Sequence, residues 1–185
     1  MGSLLEISVL RFIKSFTSCR TCWFLLFLFA IVIDGCALYF QYGLGMRPCV
    51  NCVYERAAIF AFGVCGIVGF LFAGSGFFRS LASAFFLASS IWGLLISFEH
   101  YEGTLNNSFG SQCLLAANFP SFLKLDVWLP WMFKPLDTCS KLDWSLLGLS
   151  MPQWLVIIFV CGTLVSFLFL ISQFVRLRPK RSYRY

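Results

Sequence analysis

The run AAIFAFGVCGIVGFLFAGSGFF, residues 57–78, carries no charged side chain and lies between Arg56 and Arg79. A helix of about 20 apolar residues crosses the roughly 30 Å of hydrocarbon in a bilayer, so this run is long enough to span a membrane. Its apolar residues are continuous, whereas strands of an outer-membrane barrel alternate between apolar and polar side chains. The run therefore predicts a transmembrane helix and argues against a β-barrel.

Three further stretches have the same character. Residues 80–98 and 144–175 carry no charge, and residues 21–46 carry a single acid, Asp34. Of the 185 residues, 59% are hydrophobic and only 12% are charged, which is about half the charged share of soluble domains. We therefore predict an all-α membrane protein, a four-transmembrane-helix bundle that forms one integral membrane domain. The expected spans lie near residues 22–42, 55–73, 80–99 and 153–174.

The basic residues predict how this bundle is oriented. Arg79 lies in the link between the second and third spans, on the same side as both chain ends. Eight further basic residues flank the two ends of the bundle: Arg11, Lys14, Arg20, Arg176, Arg178, Lys180, Arg181 and Arg184. Because Lys and Arg concentrate in short cytoplasmic segments, both termini are expected in the cytoplasm. The opposite side, periplasmic in a bacterium, receives a short loop near 43–54 and a long loop near 100–152.

The net charge of +6 follows from this topology. Basic residues on one face of a membrane protein orient the chain and attract anionic lipid. The sequence contains no basic–aromatic stripe and no phosphate-cradling loop, so we expect membrane lipid and no nucleic acid among its partners.

The nine cysteines fall into three groups on this map. Two lie at the cytoplasmic entrance of the first span, where thiols stay reduced: Cys19 and Cys22. Three lie within spans, and we expect them to pack between helices as small apolar side chains: Cys36, Cys65 and Cys161. Four lie in the outer loops, where disulfides persist in a periplasm: Cys49, Cys52, Cys113 and Cys139.

The four outer cysteines predict two disulfides. The closeness of Cys49 to Cys52 makes their pairing nearly forced, which leaves Cys113 and Cys139 as partners. Zinc is the alternative for a cysteine set of this kind, but the second close pair of a zinc ribbon is missing. An oxidising compartment also favours sulfur–sulfur bonds, so we predict no metal.

The two predicted disulfides differ in what they contribute to stability. The Cys113–Cys139 bond closes a loop of about 27 residues, which chain-entropy estimates value at roughly 3–4 kcal/mol, so a purely structural role stays open for it. The Cys49–Cys52 bond closes almost no loop, and stabilisation does not explain it. A C-x-x-C pair with a lowered thiol pKa is the common form of a working dithiol.

The run RPCVNCVYER, residues 47–56, places this dithiol at a predicted helix start. Pro48 suits the first turn of a helix, where free backbone N–H groups and the helix dipole favour an anion. Arg56 lies one turn beyond Cys52 on the same face, so its guanidinium is expected to stabilise a Cys52 thiolate or a bound anion. Snorkelling of Arg56 to lipid headgroups is the alternative. Since Cys52 is the membrane-side thiol, a lipid-soluble electron acceptor such as a quinone fits.

Three other ionisable residues lie at or inside the predicted spans. Glu55 follows Tyr54 and precedes Arg56, but it points elsewhere on the helix and is not an obvious ion-pair partner of that arginine. His100, the only histidine, is either an interfacial hydrogen-bonding residue or a donor to a reduced quinone. Asp34 is either a packed polar residue or part of a proton path, and the sequence does not choose between these roles.

The long outer loop is rich in aromatic side chains of the kind found at the headgroup level of membranes. A short interfacial helix is predicted near residues 121–129. Such a helix is expected to hold Cys113 and Cys139 close to the membrane plane, and therefore near Cys49.

These motifs resemble the DsbB family, the bacterial inner-membrane disulfide-forming oxidoreductases. The most specific matches are the run at 47–56 and M-P-Q-W at 151–154, supported by Phe98-Glu99-His100 and by the spacing of the loop cysteines. The resemblance covers essentially the whole chain. Departures are minor: an aspartate at position 34, where a glutamate is familiar, and additional cysteines outside the outer loops.

The resemblance implies a quinone-dependent thiol:disulfide oxidoreductase of a Gram-negative inner membrane. Cys113 would form a mixed disulfide with a DsbA-like periplasmic thioredoxin-fold protein, and Cys139 would pass electrons to Cys49. Cys52 would face ubiquinone, or menaquinone, from the membrane quinone pool. Three side chains would lie near the quinone ring: Arg56, Glu55 and His100. The alternatives are a DsbI-like paralogue serving another thioredoxin-fold partner, and a structural membrane protein whose disulfides only brace its loops.

Overall fold

The structure of the chain is a computed structural model that describes residues 19–106, 117–120, 123–136 and 144–174. The described helices are, in chain order, α1 Arg20–Tyr42, α2 Val50–Leu71, α3 Gly76–Asn106, α4 Leu125–Trp128, α5 Pro130–Phe133 and α6 Met151–Phe174. An antiparallel hairpin of two short strands, β1 Ser145–Leu146 and β2 Leu149–Ser150, leads into α6. The helices α1, α2, α3 and α6 are long and apolar enough to cross a membrane. The predicted fold, a four-helix membrane bundle, is confirmed.

Two of these helices extend beyond the predicted spans on the outer side. α2 begins at Val50 with Cys49 as its N-cap, so Pro48 precedes the cap and does not open the first turn. α3 continues to Asn106, so the helix extends beyond its predicted span into the segment predicted as the long outer loop. Hydropathy marks where hydrocarbon ends, whereas the backbone hydrogen-bond ladder of a helix continues until a cap or a loop stops it.

The four long helices pack as neighbours around one aromatic core. α1 packs against α2, α2 against α3, and α3 against α6. The ring of Phe62 on α2 meets Phe86 of α3 and Phe159 of α6 edge to face, with ring centroids 4.8 and 5.8 Å apart. Edge-to-face pairs of this kind add to the dispersion energy of a packed core. The core therefore links three of the four long helices at mid-length.

Glycines set how closely these helices approach. A Cβ added at Gly66 of α2 would lie 2.7 Å from the backbone nitrogen of Phe27 on α1, and one at Gly93 of α3 would lie 2.1 Å from the Phe159 ring. Small residues are typical of helix contacts in membranes, where packing rather than water exclusion drives association.

The described part of the long outer loop folds back over the start of α2. Val53 of α2 packs in one apolar cluster with Leu125, Met132 and Phe133. The helical part lies later in the chain than predicted: α4 and α5 are two separate turns, and residues 121–122 fall outside the described residues. The reason is Pro130, which opens α5 but has no N–H with which to continue α4.

Two hydrogen bonds fasten this loop to the helix ends. The Tyr42 hydroxyl donates to the Trp131 carbonyl at 2.6 Å, and the Leu136 N–H donates to the Pro48 carbonyl at 3.0 Å. The second bond lies one residue before Cys49, so the loop closes over the predicted dithiol.

The cysteines within the long helices only partly follow the prediction. Cys65 is buried in the core cluster, as expected. Cys36 and Cys161 are exposed, so their expected packing between helices was wrong. Cys36 instead lines an apolar cavity between α1, α2 and α6, where a small apolar side chain needs no polar partner.

Substituting Gly66 tests the close approach of α1 and α2. In Gly66→Ala the added methyl meets the Phe27 backbone, and overpacking of this kind costs about 1–3 kcal/mol. We expect a lower midpoint temperature in detergent, measured by fluorescence-detected size-exclusion chromatography after heating. Gly35→Ala is the matched control, because a Cβ at Gly35 meets nothing within 4 Å. Equal midpoints for the two variants would contradict the proposed contact.

Candidate redox site

The cap of α2 brings the two cysteines of the C-x-x-C motif together. Cys49 has an extended backbone, and its Sγ accepts a hydrogen bond from the Cys52 N–H at 3.4 Å. The two Sγ atoms lie 3.0 Å apart, and both cysteines are free thiols in this structure. A disulfide has an S–S distance of about 2.0 Å, so a small side-chain movement suffices to form the bond. The Cys49–Cys52 disulfide stays a prediction for the oxidised protein.

Cys49 faces a buried histidine and, beyond it, a buried glutamate. His100 Nε2 lies 3.9 Å from the Cys49 Sγ, and His100 Nδ1 lies 3.1 Å from Glu55 Oε1. All three residues are buried. As expected, Glu55 does not pair with Arg56; its partner is His100, which lies on α3.

These contacts make Cys49 the anionic thiol of the reduced pair. They lower the pKa of Cys49 from 9.0 to about 4, chiefly through the hydrogen bond with Cys52, with a further hydrogen bond and positive charge from His100. Burial of Cys49 opposes this shift. The sequence analysis expected a thiolate at Cys52, which stays a prediction; in the dithiol of this structure the Cys52 N–H donates to the sulfur of Cys49, the N-cap residue.

Arg56 is buried and its guanidinium is directed inward. It donates to the carbonyl of Ala37 at 3.0 Å, to the carbonyl of Met132 at 3.2 Å and to the side-chain oxygen of Gln41. Its exposed fraction is 7%, so the side chain does not snorkel to the surface. A charge inside a membrane protein needs such acceptors, and here they come from α1 and α5.

An apolar cavity of about 140 Å³ lies beside Cys52, between α1, α2 and α6. Its polar wall is formed by Cys52, two arginines and two acids: Arg47, Arg56, Glu55 and Asp34. Much of the rest is aromatic or aliphatic: Ile33, Phe40, Ile59, Trp144, Trp154, Leu155 and Ile158. Neither Cys49 nor His100 lines this cavity. The two thiols therefore have different surroundings, a histidine–glutamate pair for one and an apolar cavity for the other.

The expected quinone-side residues are thus only partly brought together. Cys52, Arg56 and Glu55 share the cavity, whereas His100 lies on the Cys49 side. Asp34, whose role the sequence left open, is buried at the cavity, and its Oδ1 has no hydrogen-bond partner among the described residues. Cys113 and Cys139 lie outside the described residues.

Gln41 is a contributor to this site that the sequence reasoning missed. It is buried, its side-chain oxygen accepts from Arg56, and its amide donates to the Trp131 carbonyl at 3.4 Å. An amide at the outer end of an otherwise apolar span was the available signal, because a buried polar group there needs partners.

Together the fold and the site define a multi-pass membrane protein with a buried thiol pair at a helix start. The family model described as "Disulfide bond formation protein DsbB" matches residues 19–169. The chain belongs to the DsbB family, which confirms the resemblance read from the sequence. It is accordingly a disulfide bond formation protein, a membrane oxidoreductase of protein thiols.

Curated relatives agree with this assignment. Disulfide bond formation protein B of Pasteurella multocida (strain Pm70) is 43% identical over 173 residues, which cover 94% of this chain and 97% of that protein. The protein of the same name from Haemophilus influenzae (strain 86-028NP) is 42% identical over 173 residues, 94% of this chain and 98% of that protein. The one from Vibrio parahaemolyticus is 38% identical over 172 residues, 93% of this chain and 97% of that protein.

The low pKa of Cys49 predicts an unusual alkylation profile. In the reduced protein, the rate at which iodoacetamide modifies Cys49 should stop rising with pH well below the usual thiol range, with a midpoint near 4. Peptide-resolved mass spectrometry after timed labelling measures this rate. The variant Cys52→Ala should raise the midpoint more than His100→Ala does, because the Cys52 hydrogen bond is the larger cause.

The pH profile of Cys65 is an internal comparison. This thiol lies in the core cluster, apart from the dithiol. A Cys49 midpoint near the ordinary value of 9, in protein that is still folded, would contradict the assignment of the anion to Cys49.

Proposed function

We propose that this protein reoxidises a DsbA-like periplasmic thiol oxidase and passes the electrons to a membrane quinone. The electrons move through the cysteine pairs Cys113–Cys139 and Cys49–Cys52. One observation carries the proposal: the two thiols of the C-x-x-C pair face different surroundings, and only Cys52 lines the apolar cavity. A thiol pair in which Cys52 lines the cavity and Cys49 lies outside it suits a relay between a protein in water and a small molecule in lipid.

The cavity fits the ring of a quinone in its chemistry. Its wall is mostly apolar, with two tryptophans and the guanidinium groups of Arg47 and Arg56 beside the Cys52 thiol. Arginine has five N–H donors, and the described hydrogen bonds of Arg56 use three of them. The remaining donors are free, among the described residues, to bind a carbonyl oxygen. We propose ubiquinone as the acceptor, with menaquinone as the alternative.

A bound quinone supplies the two-electron oxidising power of the reaction. The chain supplies position and charge. We propose that Arg56 orients the ring, and that Cys52 contacts it. The unpartnered oxygen of Asp34, and Oε2 of Glu55, which also has no described partner, are acceptors suited to hydroxyl groups or protons at the same wall.

The thiol steps follow ordinary exchange chemistry. Reduced partner attacks Cys113, and the Cys113–Cys139 bond breaks through a mixed disulfide. Resolution of that mixed disulfide leaves a disulfide in the partner and two thiols in the loop. A Cys139 thiolate then attacks the Cys49 sulfur, so that the Cys49–Cys52 bond breaks.

The side chains around the helix start assist this last exchange. Cys52 leaves as a thiolate beside the Arg56 guanidinium, which stabilises the negative charge. Closure of the Cys113–Cys139 bond releases Cys49, whose anion His100 stabilises while Glu55 orients the histidine ring. Two electrons and two protons finally leave the thiol pair for the quinone, and the Cys49–Cys52 disulfide forms again.

This function places the protein in the inner membrane of a Gram-negative bacterium, with the dithiol on the periplasmic side. A DsbI-like protein serving another thioredoxin-fold partner is the second candidate, and the identity of the trapped partner separates the two. A purely structural protein would have no use for a thiol pair in which one sulfur is stabilised as an anion and the other lies beside an apolar cavity.

Changing Arg56 should affect the quinone more than the partner protein. Loss of a hydrogen bond to a charged group costs about 1.5–3 kcal/mol, so Arg56→Gln should raise the apparent KM for quinone roughly 10- to 100-fold. The KM for the reduced partner should stay within about twofold, because Arg56 lies on the cavity side of the thiol pair. Steady-state quinone reduction in detergent, with each substrate varied in turn, measures both constants.

Two further variants complete this test. Arg79→Gln is the matched control, because Arg79 donates to the Ala73 carbonyl at the opposite end of α2. Cys52→Ser should abolish quinone reduction. Equal rises of both KM values in Arg56→Gln, or activity retained in Cys52→Ser, would contradict the roles assigned here.

Trapping the partner tests the outer half of the relay. In Cys139→Ala, Cys113 has no loop partner, so its thiolate attacks the disulfide of the oxidised partner protein, and the resulting mixed disulfide should accumulate. Non-reducing electrophoresis and mass spectrometry identify the attached protein, for which we expect a DsbA-like oxidase. Cys113→Ala in the same strain is the control and should trap nothing. A different thioredoxin-fold protein on Cys113 would favour the DsbI-like alternative.

A further inference from the structure

The thiol pair has a third soft ligand beside it that the cysteine spacing did not reveal. Metal-binding atoms of Cys49, Cys52 and His100 all lie within 4.8 Å of one another. The two sulfurs are 3.0 Å apart, and the Cys49 sulfur is 3.9 Å from His100 Nε2. Zinc binds sulfur at about 2.3 Å and imidazole nitrogen at about 2.0–2.1 Å, which separates tetrahedral ligands by roughly 3.5–3.8 Å. Small side-chain movements therefore convert the observed arrangement into a metal site.

We infer that the reduced form of this protein binds one soft divalent cation, zinc or cadmium, through Cys49, Cys52 and His100. A Cys₂His set with one further position for water is an established type of zinc coordination. Two thiolates and a neutral imidazole exactly balance the charge of a divalent ion, so the complex adds no net charge to a buried site. Burial disfavours an uncompensated charge, and neutrality therefore favours the metal complex.

Glu55 already holds the histidine in the orientation that a metal requires. Its Oε1 lies 3.1 Å from His100 Nδ1, which leaves Nε2 directed at the sulfurs. A carboxylate behind a metal-binding histidine is the usual supporting arrangement and strengthens binding about 10- to 100-fold. The ligand set thus has its supporting hydrogen bond before any metal binds.

The second C-x-x-C motif lacks this third ligand. Cys19 is the N-cap residue of α1, although its side chain makes no cap hydrogen bond of the kind that Cys49 makes, and Cys22 lies three residues later. The chain contains one histidine, His100, and its Nε2 lies beside the Cys49 sulfur. Cys19 and Cys22 therefore form a matched control with the same spacing, the same position at a helix start and no imidazole.

Metal binding would be limited to the reduced protein, because thiolates and not disulfide sulfurs are metal ligands. A bound ion would hold both thiols reduced and keep them from disulfide formation. This consequence depends on the proposed function, whereas the binding itself does not. Soft metals would then inhibit the relay only during the part of the cycle in which the pair is reduced.

The binding test uses the full chain in detergent with Cys113→Ser and Cys139→Ser, so that Cys49 and Cys52 are the only outer-loop thiols that remain. Zinc is titrated against a chromophoric chelator, and Co²⁺ serves as a spectroscopic probe of thiolate coordination. We expect one ion per reduced protein and none after oxidation of the Cys49–Cys52 pair. Adding Cys19→Ser and Cys22→Ser should leave affinity and spectrum unchanged.

Variants of His100 and Glu55 test whether His100 is the third metal ligand and whether Glu55 supports it. His100→Gln should weaken binding at least 10-fold and alter the cobalt spectrum, and Glu55→Gln should weaken binding about 10- to 100-fold. Circular dichroism and size-exclusion profiles establish that each variant is folded. Binding that survives both changes, binding that follows Cys19 and Cys22, or absence of binding to the reduced protein would overturn the inference.

Metal-free quinone reduction separates this inference from the proposed function. If the relay runs in chelator-treated protein but zinc does not bind, only the metal site is refuted. If zinc binds but no quinone reduction is found, the site stands and the proposed function fails.

Discussion

The buried guanidinium of Arg56 is the constraint around which the outer half of the molecule is arranged. A full charge inside a spanning helix needs nearby acceptors, because hydrocarbon provides none. The acceptors here are carbonyls and an amide from α1 and α5, two elements that are distant in sequence from each other. The hydrogen bonds of Arg56 thus connect α2 to α1 and to the outer loop. The same guanidinium lies in the wall of the apolar cavity.

The helix cap determines how the two neighbouring thiols differ. Cys49 lies at the N-cap, where the Cys52 N–H and the His100 ring stabilise negative charge. Cys52 lies one turn into the helix and reaches the cavity that contains Arg56. His100 therefore lies beside the Cys49 sulfur, and Arg56 lines the cavity beside the Cys52 sulfur. This division suits a pair whose members exchange bonds with different partners, and the same histidine makes the reduced pair a ligand set for a soft metal.

Much of the architecture was predictable because hydrophobic span length depends only on local composition. Four apolar runs predicted four helices, and the runs at 47–56 and 151–154 predicted the family. Helix ends were less predictable: α3 continues to Asn106, well past the last uncharged residue of its span. The contact between His100 and Cys49 was not predictable either, because it depends on how α2 and α3 pack. Exposure of Cys36 and Cys161 was also missed, since a uniformly apolar helix does not show which face it turns to its neighbours.

By itself, the sequence determined that this chain spans a membrane four times, that it carries a C-x-x-C pair at the start of the second helix, and that it belongs with disulfide-forming proteins. These properties depend on residues close together along the chain. Only the tertiary structure decided that Glu55 pairs with His100, that Gln41 and Met132 accept from Arg56, and that Cys49 and Cys52 face different surroundings. The physical reason is that each of these contacts joins separate elements, and their meeting depends on how tightly packed helices approach and where each one ends.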